Sequence, residues 1–144
     1  MTLEAALRES GTRLRRPGHY DEFFADEPDR LKSCNIYRLA GMPPNISVFV
    51  ENGIITSIGA ELSSEQGSVT FRTEKGVALG DPEAAVRAVY KILKEEPNIY
   101  SEPPDKELFV KSSSGNGIKF SIVDGKVIAI NVGGRSITYV EGCL

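Results

Sequence analysis

The stretch Ile118-Lys119-Phe120-Ser121-Ile122-Val123-Asp124-Gly125-Lys126-Val127-Ile128-Ala129-Ile130 decides the fold class. Two runs rich in apolar and β-branched residues flank Asp124-Gly125, and this dipeptide between such runs is typical of a two-residue hairpin turn. Both turn positions need a positive φ, which aspartate and glycine tolerate. The stretch therefore predicts an antiparallel hairpin.

A second stretch earlier in the chain has the same plan, with Asn52-Gly53 between Ile46-Ser47-Val48-Phe49-Val50-Glu51 and Ile54-Ile55-Thr56-Ser57-Ile58. Ahead of the two hairpins, residues 2–8 resemble residues 81–87. Each of these begins with an N-cap candidate, Thr2 or Asp81, and has a glutamate in its first turn. The second helix is expected over residues 82–94.

Further strands are expected before each hairpin, at 34–39 and 107–111, and after each hairpin, at 68–72 and 136–140. We therefore predict an α+β fold, a tandem repeat of helix plus antiparallel strands (α-β-β-β-β twice) forming one sheet with both helices on one face. Residues 1–144 are expected to form a single domain, with repeat units of about 1–72 and 73–144.

Strict alternation along the hairpins assigns the two faces of this sheet. The side expected to face the helices carries Val48, Val50, Ile55, Phe120, Ile122, Val127 and Ala129. The opposite side is mixed in polarity, with Thr56, Lys119 and Ser121 on it. It is a candidate partner-binding face, carrying Phe49, Ile58, Ile128 and Ile130. The alternative is that the aromatic segment at residues 20–24 covers this face.

Composition and charge exclude several classes of protein. The 144 residues carry a formal net charge of −3, and the arginines at 13, 15 and 16 are followed at once by an acidic stretch at 21–29. Nucleic acid is therefore not an expected partner, because its binding needs a clustered basic face. No apolar run approaches the roughly 20 residues of a membrane-spanning helix.

No motif for a metal, a cofactor or catalysis is recognisable. The single histidine, His19, has no recognisable acid–base partner in the sequence, and Cys34 and Cys143 are too far apart for a zinc knuckle. The glycine-rich residues 112–117 link two strands, whereas a phosphate-binding loop leads into a helix. We assign no catalytic, cofactor-binding or metal-binding residue, and an enzyme with a site between the two units is kept as an alternative.

Four stretches carry a resemblance: Cys34-Asn35-Ile36-Tyr37, Val50-Glu51-Asn52-Gly53-Ile54-Ile55, Gly76-Val77-Ala78-Leu79-Gly80-Asp81 and Tyr139-Val140-Glu141-Gly142-Cys143. Through them the chain resembles small secreted bacterial proteins of unassigned function that contain two such units. More distantly, the tandem plan is similar to the beta-lactamase inhibitor protein family and to small outer-membrane assembly lipoproteins. These resemblances imply protein binding without catalysis, and no partner-binding residue is carried over from them.

The two cysteines bear on the compartment. Cys34 begins the first expected strand and Cys143 ends the last, so a shared sheet can bring them within disulfide reach. A Cys34–Cys143 disulfide persists only in an oxidising compartment. Because the first helix starts directly after Met1, we expect a secreted or periplasmic protein whose leader was removed. The expected function is a non-catalytic protein-binding module of inhibitor or envelope accessory type; the alternative is a cytoplasmic accessory domain with two free thiols.

Overall fold

A computed structural model of the protein describes residues 14–15, 35–39 and 42–139. One α-helix lies in this part of the chain, α1 (Glu83–Val89), and a short 3-10 turn follows the last strand (Arg135–Thr138). The strands are β1 (Leu14–Arg15), β2 (Asn35–Leu39), β3 (Ile46–Glu51), β4 (Ile54–Glu61), β5 (Lys94–Pro97), β6 (Lys106–Lys111), β7 (Gly117–Val123) and β8 (Lys126–Gly133).

Seven strands form one antiparallel sheet in the order β2-β3-β4-β8-β7-β6-β5, and the two-residue β1 pairs with β2. The β3–β4 and β7–β8 hairpins meet at the centre, where β4 pairs with β8 and Ala60 lies opposite Ile130. The predicted hairpins are confirmed, and both residues of each turn have positive φ: 52° and 75° at Asn52 and Gly53, and 49° and 70° at Asp124 and Gly125.

The predicted tandem repeat of an α-β-β-β-β unit is wrong. Residues 68–72 form no strand, since only Arg72 makes an isolated bridge, with Ala78. The strand expected at 136–140 is replaced by the 3-10 turn. The first expected helix, at residues 2–8, lies outside the described residues. Within the described residues, one α-helix packs on the sheet.

Helix α1 is also shorter than predicted. Its N-cap is Pro82, and Asp81 instead accepts a hydrogen bond from the Ala78 amide at 2.8 Å. The helix ends before Tyr90, which adopts an extended backbone, is buried and packs on Phe120 with ring centroids 5.5 Å apart. The chain then enters β5, which pairs with β6. Neither described helix is long and apolar enough to cross a bilayer.

The main core lies between α1 and the sheet. The start of the helix is fixed to the second hairpin, because the Gly80 amide donates to the Val127 carbonyl and the Val127 amide donates to the Asp81 carbonyl, both at 2.8 Å. The buried cluster comprises Ile46, Ala60, Val77, Leu79, Val86, Tyr90, Leu108, Phe120, Ile122, Val127 and Ile130. This packing leaves the other face of the sheet without a helix among the described residues.

A β-bulge in each hairpin changes the assignment of faces. Pairing shifts between Phe49 and Val50 and between Ser121 and Ile122, which leaves Thr56 and Ile128 as extra residues. An extra residue inverts the alternation that follows it. Ile130 consequently lies in the core, and Ala129, expected to face the helices, faces the opposite side.

Candidate functional site

The face of the sheet opposite α1 forms a groove of about 590 Å³. The described residues that line it come from β2, β3, β4, β6, β7 and β8, from the β5–β6 connection and from the 3-10 turn. The strands form the floor of the groove, and the β5–β6 connection and the 3-10 turn form its two walls. The groove is therefore a product of the whole sheet and not of one loop.

A row of register partners crosses the floor of the groove. Ser47 lies opposite Gly59, Gly59 opposite Asn131, and Asn131 opposite Lys119. Gly59 makes this arrangement possible, because a β-carbon there would collide with Oδ1 of Asn131. The absence of a side chain at residue 59 thus lets the Asn131 amide lie over the neighbouring strand.

The 3-10 turn forms the first wall. It packs over Gly117 of β7, where a β-carbon would lie 3.1 Å from Cδ1 of Ile137. Ser136 lines the groove with only 4% of its surface exposed, and its hydroxyl has no hydrogen-bond partner. Buried hydroxyls are normally paired; the described exceptions are those of Ser68, Ser101 and Ser136, and the last two line the groove.

Aromatic rings close the same end of the groove. Tyr139 packs against Phe49 with ring centroids 5.6 Å apart and a tilt of 58°. Its hydroxyl accepts a hydrogen bond from Nε of Arg135 at 2.8 Å and donates to Glu51 at 3.4 Å. These bonds hold the Tyr139 ring in one position beside the groove, where it offers an apolar surface with a polar edge.

The second wall is the β5–β6 connection, which reaches the carboxyl group of Glu107. Nδ2 of Asn98 donates to Oε1 of Glu107 at 3.0 Å, and the Ser121 hydroxyl donates to Oε2 at 2.7 Å. Burial raises the pKa of Glu107, and Glu96 adds to this, whereas the Ser121 hydrogen bond and the Lys119 charge act in the opposite direction. Glu107 is thus a partly buried carboxyl whose two oxygens are already hydrogen-bonded.

Asn45 fixes the loop that follows β4. Its Nδ2 donates to the carbonyls of Glu61 and Val69 at 2.9 and 2.8 Å, and its Oδ1 accepts from the Val69 amide at 3.0 Å. Asn45 also lines the groove, with Leu62 beside it. A buried amide with three partners makes this edge of the groove well defined.

The four residues predicted to form a partner face are divided between the two sides of the sheet. Phe49 and Ile128 line the groove, and Phe49 is 7% exposed. Ile58 is 42% exposed but pairs with Val48 and Val132 on the helix side, and Ile130 is fully buried in the core. The predicted Cys34–Cys143 disulfide and the segment at 20–24 lie outside the described residues.

Sequence reasoning named Lys119 and Ser121 only as residues of the outer face and missed Glu107, Asn131 and Ser136. The signal that could have found Asn131 is the lone glycine at position 59 inside a strand pattern, which often marks a close approach. Ser136 was taken as part of a strand, which gave it no special position.

The described residues contain no group of three or more histidine, cysteine, aspartate or glutamate residues that could hold a metal ion. Comparison with protein-family models, with curated proteins and with solved structures found no match. The groove is therefore interpreted from its own chemistry.

Proposed function

We propose that this protein is a non-catalytic protein-binding module and that the groove opposite α1 is its binding site. The observation that carries the proposal is an open, concave sheet face about 590 Å³ in volume, bordered by aromatic rings and floored by polar side chains. No helix among the described residues covers this face, and an uncovered sheet face is a common place for a ligand or a partner to dock.

The composition of the groove suits a polypeptide ligand. Its surface is of mixed polarity, and serine, asparagine and charged residues make up more than half of the described lining residues. Tyr100 and Tyr139 lie at the walls, and tyrosine is enriched where proteins bind one another. Amides and hydroxyls on the floor suit the backbone and polar side chains of a peptide segment.

An enzyme is the alternative that one observation favours, because a carboxyl with a raised pKa in a cleft is a mark of acid–base sites. Against it, both oxygens of Glu107 accept hydrogen bonds from Asn98 and Ser121. The described lining of the groove also contains no histidine or cysteine to act with it. These contacts suit a role for Glu107 in holding the β5–β6 connection against the sheet.

A secreted or periplasmic location, with an inhibitor or envelope accessory role, is part of the same proposal and rests on the two cysteines of the sequence. Mass spectrometry of the protein from its native host, under non-reducing conditions, tests it. A mass lower by two hydrogens that reductant restores supports the proposal. Two thiols that alkylate freely in the folded protein would refute it.

Peptide display tests the binding function. Random dodecapeptides are selected for binding to the wild-type protein. The affinity of the retained peptides is then measured for the wild type and for the variants Ala129→Tyr and Ile58→Tyr. Ala129 lies on the groove floor between Glu61 and Ser121, so tyrosine there fills the groove with no change of charge. Ile58 lies half-exposed on the other face and receives the same new side chain.

We expect Ala129→Tyr to weaken the selected peptides at least about tenfold, or 1.4 kcal/mol, and Ile58→Tyr to leave their affinity within about twofold. Circular dichroism and thermal unfolding establish that both variants are folded. The proposed function would be refuted if no selected peptide bound Ala129→Tyr more weakly than the wild type.

A further inference from the structure

We propose that the groove recognises an aspartate or glutamate side chain of its polypeptide partner, held by Lys119, Asn131 and Ser136. This inference rests on the proposed binding function and adds the chemistry of the ligand. It depends on three hydrogen-bond donors that line one groove and that no described residue satisfies.

The first two donors are neighbours by register. Lys119 on β7 lies opposite Asn131 on β8, and both side chains line the groove. Lys119 makes no hydrogen bond or ion pair with a described residue. Oδ1 of Asn131 lies against Gly59, and its amide nitrogen has no acceptor among the described residues. An ammonium and an amide thus lie on adjacent strands of the groove floor, and both can donate hydrogen bonds to a ligand.

The third donor supplies independent evidence for a ligand. The Ser136 hydroxyl is buried at the wall of the groove, with 4% of the residue exposed and no partner. A buried hydroxyl without a hydrogen bond costs free energy, which a ligand oxygen can recover on binding. The Ser101 hydroxyl of the opposite wall is likewise buried and unpartnered, so each wall has an unsatisfied polar group.

The Lys119 ammonium favours an anionic group of the ligand at this position of the groove. Glu107 is the carboxyl closest in register to Lys119, but its oxygens are engaged by Asn98 and Ser121. Lys119 therefore makes no ion pair with Glu107 or with another described carboxylate. A carboxylate from a partner can accept charge-assisted hydrogen bonds from the lysine and neutral ones from the amide and the hydroxyl.

The geometry points to a side chain and not to a chain terminus, because the groove runs across the sheet between two walls and can hold chain on both sides of the bound group. Selected peptides are therefore expected to carry aspartate or glutamate at an internal position. The same peptides should bind equally well with a free or an amidated C-terminus.

A double-mutant cycle tests the inference with one selected peptide, followed by fluorescence anisotropy. Its acidic residue is changed to the matching amide, and the protein is changed by Lys119→Gln. Each change alone should weaken binding about tenfold, and the two together should weaken it little more than either one. Lys126→Gln, an exposed lysine of the same hairpin outside the groove lining, is the matched control and should have no effect.

Three outcomes would overturn the inference. Selected peptides without an acidic residue, a Lys119→Gln variant that binds them as tightly as the wild type, or binding that depends on a free C-terminus would each do so. In these cases a loss of peptide affinity in Ala129→Tyr would still support the binding function. If no selected peptide is sensitive to Ala129→Tyr, the binding function and this inference fall together.

Discussion

The side-chain oxygen of Asn131 lies directly over Gly59, at the place that a β-carbon of residue 59 would occupy. The two residues pair across β4 and β8, the only strands that join the two hairpins in the described sheet. A side-chain amide thus crosses the junction at the floor of the groove. Its position depends on the absence of a single methyl group.

Gly59→Ala should therefore weaken peptide binding without unfolding the protein. The new methyl group displaces the end of a flexible side chain and not the backbone, so we expect a stability change below about 1 kcal/mol. Binding of a selected peptide should fall several-fold because the Asn131 amide has moved. Anisotropy and urea denaturation measure the two effects. Unchanged affinity in Gly59→Ala would mean that Asn131 takes no part in binding.

The reassignment of faces predicts unequal losses of stability when two isoleucines are shortened. Ile130→Ala removes a fully buried side chain from the core beneath α1 and should cost about 2–5 kcal/mol of unfolding free energy. Ile58→Ala removes a side chain that is 42% exposed, and should cost less than about half as much. Urea denaturation of the two variants checks this, and equal losses would contradict the described register.

Gly133 marks a second close approach, where the strand end meets β4. A β-carbon there would clash with the Thr56 carbonyl oxygen and lie 2.6 Å from Cβ of Ser57. Because backbone must move, we expect Gly133→Ala to cost more than about 2 kcal/mol. Gly125→Ala is the control: it has positive φ but open space, and about 1 kcal/mol is expected. A tolerated Gly133→Ala would show that β8 ends differently.

The carboxyl of Glu107 predicts a pH dependence of stability. Its pKa is raised in the folded protein, chiefly by burial, so the folded state holds this proton more tightly than the unfolded chain does. The contribution is favourable below the pKa of the unfolded chain and is lost as pH rises through the raised value of the folded state. Glu96 strengthens this effect, and Lys119 and Ser121 reduce it.

Glu107→Gln should remove the loss of folding stability that accompanies ionisation of this carboxyl. Between pH 4 and neutrality, the wild type should become less stable relative to Glu107→Gln as pH rises, because only the wild type acquires a partly buried charge. Denaturation curves over this range provide the measurement. Curves for the two proteins that stay parallel at all pH values would show that burial does not perturb this carboxyl.

The hairpins were predictable because Asn-Gly and Asp-Gly determine a turn locally, whatever lies around it. The bulges were not, since nothing in the identities of Thr56 and Ile128 marks an extra residue, and each bulge inverts the faces after it. Lys94-Glu95-Glu96 suits a helix by propensity, but pairing with β6 places it in β5. Local sequence thus predicts turns better than it predicts register.

The groove itself depends on contacts that are distant in sequence. Asn131 meets Gly59 only because β8 pairs with β4, more than 70 residues away along the chain. Glu107 meets Ser121 across β6 and β7, in a row that the sequence pattern alone does not specify. The candidate site could therefore be predicted only as a mixed-polarity face, and two of its four named residues lie on the other side of the sheet.

The affinity of one display-selected peptide for Ala129→Tyr, compared with Ile58→Tyr, tests the central claim most directly. The two variants place the same tyrosine on opposite faces of the same sheet. A groove that binds polypeptides predicts at least about a tenfold loss for Ala129→Tyr and little change for Ile58→Tyr. Equal affinities in the two folded variants, or a loss confined to Ile58→Tyr, would contradict the claim that the groove is the binding site.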